Sequence, residues 1–360
     1  MNHLREILDP AVKKYGNSGK FVEVWMDGAR ADNYYQPYFF DTNFLKEVNT
    51  LRPDAGFNFD GIQLGESDTW FGVIKKFNPD MVIFSPVGSE LRWPNTESGI
   101  LKAPVWLKID PKKQRELYIL NGEKEGITPE SGAYLAHGDP EGTDWSIPEA
   151  DTSILTNGWF ETNNKPVKSL AALGKIYFES VGRGTVLLLN FAPGKDGRLS
   201  ENQVNRAKEF GDAIKGTFKA NLAKGAKATA TGHRGKHIRY APGKVLDGKY
   251  DTYWTMDDGQ TTGSITIDLD TNKLFDVVSI QEYIPLGQRV AKFKVEVYDG
   301  QWKTFGDPET QQTIGHKALV RGAAVTASRV RVTIEESQAV PIINGVGVYK
   351  TAVEAFEVPR

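Results

Sequence analysis

Residues 21–29 read Phe21-Val22-Glu23-Val24-Trp25-Met26-Asp27-Gly28-Ala29, a short β-rich run that ends in a carboxylate and a glycine. The run predicts a buried strand with Asp27 at its carboxyl end. On its N-terminal side, Leu4, Ile7, Leu8 and Val12 recur at helical spacing, and Gly16 suits the position just past a helix end. On its C-terminal side, Phe44 to Leu51 predicts a helix stopped at Arg52-Pro53, and Met81-Val82-Ile83-Phe84-Ser85 a second buried strand closed by Pro86. The order α, β, α, β points to a (β/α) barrel or a doubly wound sheet, where functional side chains sit at strand carboxyl ends. Asp27 holds such a position, although Asp27-Gly28 reads equally well as a turn pair.

Beyond Pro86 regular structure thins out, with one short strand expected at Leu117-Tyr118-Ile119-Leu120 before the turn pair Asn121-Gly122. Val167 to Val181 has a helical pattern, and Thr185 to Asn190 is a largely apolar strand. Ser200-Glu201-Asn202-Gln203 has the spacing of a capping box opening a helix with Val204, Ala207 and Ile214 on one face. After about residue 220 the pattern changes to alternating strands, at Ser264–Leu269, Phe293–Val297 and Val330–Ile334. The expected architecture is therefore α/β plus all-β: a partial (β/α) barrel over residues 1–219, then an antiparallel β-sandwich or jelly roll over residues 220–352. The second of these is long enough to bury a core by itself.

Composition narrows the function classes. A chain of 360 residues exceeds the usual ~100–200 of one domain, in keeping with two. The 44 basic and 46 acidic residues give a formal charge of −2, so there is no polycationic surface for nucleic acid. No window approaches the ~18–20 apolar residues of a spanning helix. Cysteine is absent, which removes disulfides, thiolate nucleophiles and iron–sulfur clusters. The start, Met1 to Glu6, lacks the basic and apolar regions of a signal peptide. Aromatics reach 11%, and such rings stack on the C–H faces of sugars. Two glycine-rich turns are decoys: Pro193-Gly194-Lys195-Asp196-Gly197 lacks the phosphate-loop spacing, and Gly182-Arg183-Gly184 precedes a strand where a dinucleotide loop would follow one.

Several segments in one order carry a family resemblance. Glu23 to Ala29 resembles the nucleophile strand of the α-L-fucosidases of glycoside hydrolase family 29, and Asn78 to Ser85 the helix-to-strand turn and strand that follow. Leu91-Arg92-Trp93-Pro94-Asn95-Thr96-Glu97-Ser98-Gly99 is similar to the family's R-W-x-x-x-E-x-G segment, which carries its acid/base. Glu149 to Ile154, Gly158-Trp159-Phe160 and Ser180 to Asn190 complete the match across most of residues 1–215. Val245-Leu246-Asp247-Gly248-Lys249-Tyr250-Asp251-Thr252-Tyr253-Trp254 is similar to the signature of discoidin-like (coagulation factor C-type) modules, and Gln281 to Val290 to their fucosidase-associated form.

The resemblance implies a retaining exo-α-L-fucosidase acting on fucosylated glycans, of the branch that favours α-1,3/4 linkages, in a secreted or periplasmic setting. Asp27 would be the nucleophile and Glu97 the acid/base, with Trp93 and Trp159 on the substrate. A retaining glycosidase needs one ionised carboxylate to attack the anomeric carbon and one protonated carboxyl to assist the leaving oxygen. Trp93 and Trp106 would supply apolar surroundings that raise Glu97. The other readings stay beside these: Glu97 as a solvated loop glutamate, and Trp159 as an ordinary core aromatic. No cofactor is expected for catalysis, while the module's family implies a structural calcium with Asp251 as an oxygen ligand. About four strands before residue 215 make the second half of an eight-stranded barrel, and His3, His137, His233, His237 and His316 contain no adjacent pair to replace the histidine-rich wall of the family's first half. The expectation is thus a truncated chain with both carboxylates and an incomplete pocket, inactive by itself. The alternative is a non-catalytic carbohydrate-binding protein.

Overall fold

Parallel strands with few charges form where the chain can bury both strand faces. The computed structural model describes residues 23–25, 79–85, 90–119, 128–161 and 165–358. Asp27, the expected helices at 4–12 and 44–51, and the Asn121-Gly122 turn lie outside the described residues. Two compact units emerge, one drawn from Met1–Pro94, Lys108–Leu135 and Asp139–Ile147, the other from Asn95–Leu107, Ala136–Gly138 and Pro148–Arg360.

In the first unit, β1 (Glu23–Trp25), β2 (Val82–Ser85) and β3 (Leu91–Arg92) are parallel, with Glu23 opposite Val82 and Phe84 opposite Leu91. Trp25 stacks on Phe84 with ring centroids 4.3 Å apart, and Ile83, Phe84 and Ser85 are buried. A short antiparallel pair joins β4 (Lys108–Ile109) to β5 (Asp144–Trp145). The helices here are α1 (Pro111–Ile119) and the first turns of α2 (Pro129–His137). The strand expected at Leu117–Leu120 is corrected, because Leu117 to Ile119 close α1. The Asp110 carboxylate accepts the N–H groups of Lys112 (2.8 Å) and Lys113 (3.2 Å), and Pro111 takes the first helical position. An aspartate cap followed by proline starts a helix, and a four-residue apolar run does not overrule it.

The second unit carries β6 (Ile147–Ser153, from its second residue) and β7 (Val186–Asn190), parallel and in register from Glu149 opposite Val186 to Ser153 opposite Asn190. Helices α3 (Leu170–Glu179) and α4 (Glu201–Phe218) pack beside them. The Ser169 hydroxyl caps α3 by accepting the Ala172 N–H at 3.1 Å. At α4 the expected capping box does not form: Gln203 is fully buried and ties itself to Ala192, accepting its N–H (3.0 Å) and donating to its carbonyl (2.9 Å). Val204 is 49% exposed, whereas Ala207 and Ile214 of the expected face pack against the core, beside the buried Phe210, Ala213 and Thr217. Along β7 the side chains alternate, Val186 and Leu188 each 39% exposed while Leu187 and Leu189 pack on the core.

The module that follows contains β8 (Lys227–Ala230), β9 (Trp254–Thr255), β10 (Gly263–Glu282), β11 (Val290–Tyr298), β12 (Trp302–Thr304), β13 (Ala318–Ser337) and β14 (Ile342–Tyr349). They form one antiparallel sheet in the order β12-β11-β13-β10-β14-β9, with β8 on the first half of β10. Register shifts between Asp268 and Lys273 and between Phe275 and Val277 break β10 into two halves, and such irregularities bend a strand. Ile265 and Ile267 from one half and Val278 and Ile280 from the other share a single core with Trp254, so the sheet closes over itself.

The module and the α3/α4 layer share a second core. Val277, Leu319 and Phe356 belong to it together with Leu173, Ile176 and Phe210. Phe356 is fully buried and meets Phe178 and Phe210 edge-on at 5.9 and 6.3 Å. It lies so close to α3 that a Cβ at Gly174 would sit 2.5 Å from its ring. Buried Gln288 adds a polar clamp, accepting the Leu107 N–H (2.7 Å) and donating to the Val105 carbonyl (2.9 Å).

Candidate active site

The acid/base candidate sits on a turn whose two flanks are fixed by different means. Upstream, the fully buried Arg92 donates from Nε to the Leu135 carbonyl (2.7 Å) and from its guanidinium to the Ser146 carbonyl. A buried guanidinium is costly unless such acceptors surround it, so Arg92 fixes the path of β3 into Trp93. Trp93 is half-buried, and its N–H reaches the Ser85 carbonyl at 3.4 Å.

Downstream, the turn itself belongs to the second unit. Asn95 takes a left-handed backbone at φ 58°, which asparagine tolerates better than most residues. The hydroxyls of Thr96 and Ser98 lie 2.7 Å apart, and each accepts a backbone N–H two residues on, from Ser98 and Ile100. Gly99 has φ +72°, and a Cβ there would lie 2.8 Å from Ile176 Cγ2 and 3.0 Å from Thr152 Cγ2. The Leu101 N–H then bonds the Glu179 carbonyl at 2.9 Å. Glu97 therefore projects from a hydrogen-bonded turn pressed against Thr152, one residue from the carboxyl end of β6.

The same strand ends hold the Trp159 loop. Asn190, the last residue of β7, donates from its amide to the Ser153 hydroxyl (3.3 Å) and the Trp159 carbonyl (3.0 Å). Lys168 donates to the Leu155 carbonyl at 2.8 Å and also to that of Ser153, and burial holds its ammonium below the usual lysine range. Glu161 accepts the Lys165 N–H (2.9 Å) and the Gln203 amide (3.2 Å). Trp159 is half-buried, and its neighbour Phe160 is 80% exposed.

The structure thus brings Glu97 and Trp159 to the same strand ends, β6 and β7. Glu97 is exposed, which corrects the expectation of an apolar surrounding built by Trp93 and Trp106. Asn190, Lys168 and Gly99 tie these segments to the strand ends. Gly99 closes the Glu97 segment and Asn190 the Ser180–Asn190 segment, whereas Lys168 has no signal in the sequence.

In the module, Asp251 is exposed, while the Asp247 carboxylate accepts the Thr252 hydroxyl (2.7 and 2.8 Å) and the Lys249 N–H (3.0 Å). Calcium takes six to eight oxygen ligands. The described residues hold no cluster of three or more histidine, aspartate or glutamate groups placed for a metal.

The chain is similar to several known proteins. Residues 227–345 match the F5/8 type C domain family. Alpha-L-fucosidase 1 of Arabidopsis thaliana is 30% identical over 337 residues, covering 92% of this chain and 58% of that protein. The chain thus spans little more than half the length of this curated relative. Among solved structures, a protein named SpGH29 superimposes with a TM-score of 0.76 at 36% identity, over 97% of this chain and 67% of that one. A Ruminococcus gnavus GH29 fucosidase in complex with fucose gives a TM-score of 0.74 at 34% identity, over 99% of this chain and 65% of that one. No helix among the described residues is long and apolar enough to cross a membrane.

Proposed function

Because the chain belongs to glycoside hydrolase family 29, we propose that it carries the two catalytic carboxylates of a retaining exo-α-L-fucosidase acting on fucosylated glycans, preferably α-1,3/4-linked. Asp27 attacks the anomeric carbon and forms a fucosyl ester. Glu97 gives its proton to the departing glycosidic oxygen, then as a carboxylate takes a proton from the water that cleaves the ester. Trp93 and Trp159 offer ring faces to the sugar.

The observation that carries this reading is the Glu97 turn. A solvated loop glutamate needs no support, whereas this one is held by paired hydroxyls, by Gly99 against Thr152, and by the Leu101 bond to Glu179. Such pre-organisation at a strand carboxyl end is what a proton donor requires. A sugar seated over Trp159 would exclude water from the exposed Glu97 carboxyl.

The test is turnover of nitrophenyl α-L-fucoside by the natural polypeptide that contains these residues, beside the β-D-galactoside and β-D-glucoside. Turnover confined to the fucoside, lost in Asp27→Ala, supports the reading. Glycan binding without any turnover contradicts it and leaves a carbohydrate-binding protein.

A further inference from the structure

Where the module meets the end of α3, the surface folds in to form a cleft of about 350 Å3. One wall is Phe178, Glu179 and Arg183, from the end of α3 and the turn after it. The other is Asp307, Thr310 and Arg321 of the module. Neither Glu97 nor Trp159 lines it.

One of its polar groups is orphaned, while the Asp307 carboxylate accepts the Glu309 N–H at 3.0 Å through one oxygen. Arg183 Nε is shut off from solvent and has no hydrogen-bond acceptor. The Glu179 and Asp307 carboxylates act on that guanidinium as charges only, without a hydrogen bond to it. Arg321 lies over the Phe178 ring, 4.4 Å from its centroid, and donates from Nη1 to the Phe356 carbonyl at 3.2 Å. Burial pushes both guanidiniums below the usual arginine range, and the pair repel each other. A desolvated donor without an acceptor is a standing cost that a ligand can remove.

We infer that this cleft binds a neutral glycosyl residue, whose hydroxyls accept from Arg183 and donate to Glu179 and Asp307 while its C–H face rests on the apolar floor. Charge decides against the other ligand classes. Two guanidiniums face two carboxylates, so an anion meets Glu179 and Asp307 and a cation meets Arg183 and Arg321. A hydroxyl both donates and accepts, and so answers both sets at once. Phe293 and Leu319 supply apolar lining, the usual complement to a few fixed polar groups. The volume lies at the small end of ligand clefts, about 300–1,000 Å3, which suits a single sugar ring or two. The site couples the module to α3, so an occupant would also tie down Val358, which lines the cleft.

The test is amide hydrogen exchange of the full chain titrated with L-fucose, D-galactose and N-acetyl-D-glucosamine, read at residues 179–183 and 306–313. At least one sugar is expected to slow exchange in both segments. Asp307→Asn, at an exposed position, should weaken that sugar about ten- to a hundredfold, the worth of one charge-assisted hydrogen bond. Arg183→Lys keeps the charge but removes Nε and should do the same. If Arg183→Lys does not fold, Asp307→Asn and Glu179→Gln decide the matter. Absence of protection with all three sugars overturns the inference. So does equal affinity in wild type and every folded variant, or stronger protection by sulfate or acetate than by any sugar.

Discussion

Replacing Phe356 with alanine removes a fully buried ring that α3, α4 and the module share, and Gly174 makes the consequence measurable. A buried Phe→Ala change costs about 3–5 kcal/mol through lost transfer energy and the cavity left behind. Gly174→Ala alone forces a Cβ to 2.5 Å from the Phe356 ring, an overlap worth about 1–3 kcal/mol. In a helix interior the same change gains about 1 kcal/mol of propensity. In the wild-type background the overlap wins and Gly174→Ala destabilises. Once Phe356 is alanine, the overlap is gone, the propensity gain remains and the substitution stabilises. The cycle should show a coupling of about 1–3 kcal/mol, within the range of contacting pairs. Urea unfolding of the four proteins, followed by circular dichroism, gives the midpoints and slopes needed. A Gly174→Ala effect of the same sign and size in both backgrounds would refute the close approach. A Phe356→Ala cost below about 1 kcal/mol would refute the shared core.

Three further outcomes follow from particular residues. Burial pushes the Glu282 carboxyl up to about 7, against the N–H groups of Arg289, Val290 and Gly315 that favour its ionised form. An unfolded glutamate titrates near ~4.3, so between there and about pH 7 the folded state holds the extra proton, and stability falls by up to about 1.4 kcal/mol per pH unit as pH rises. Melting temperature should decline over that interval in wild type and not in Glu282→Gln, while identical profiles would rule out Glu282 as the cause. Gly99→Ala meets both a left-handed backbone and the Ile176 contact, so it should cost about 1–3 kcal/mol and lower kcat on the fucoside more than it changes KM; unchanged kcat would mean that the turn's geometry does not matter. If Asp251 helps to hold the calcium that the module's family implies, a chelator should lower the melting temperature by several degrees, and an unchanged melting temperature would remove calcium from the module.

Elements with a strong local period are legible in the sequence itself. The helix expected over Val167–Val181 is present as α3, and Thr185–Asn190 contains β7. The misreadings arise where distant partners decide. Gln203 looks like half of a capping box, yet it is drawn inward to the Ala192 backbone, and Val204 is left facing outward. Arg92 is buried because carbonyls 43 and 54 residues away accept from it, a fact no local pattern contains. Leu117–Ile119 carries a strand-like composition inside a helix that Asp110 and Pro111 had already started. In the candidate site the motif marks Glu97 and Trp159, and the structure adds the means of holding them: Gly99 for one, Asn190 for the other. The exposure of Glu97 fits the solvated-glutamate reading of the sequence, and the Thr96–Ser98 turn directs the side chain outward.

The assignment of Asp27 and Glu97 is tested most directly by the anomer formed when azide rescues their alanine variants in the natural full-length protein, assayed on an activated fucoside. Without the Asp27 carboxylate, azide must displace the aglycone from the opposite face and give the inverted β-fucosyl azide. Without Glu97, the fucosyl ester still forms and azide opens it to the retained α-fucosyl azide. The account predicts β from Asp27→Ala and α from Glu97→Ala. The reverse pairing, or rescue of neither variant, would contradict it.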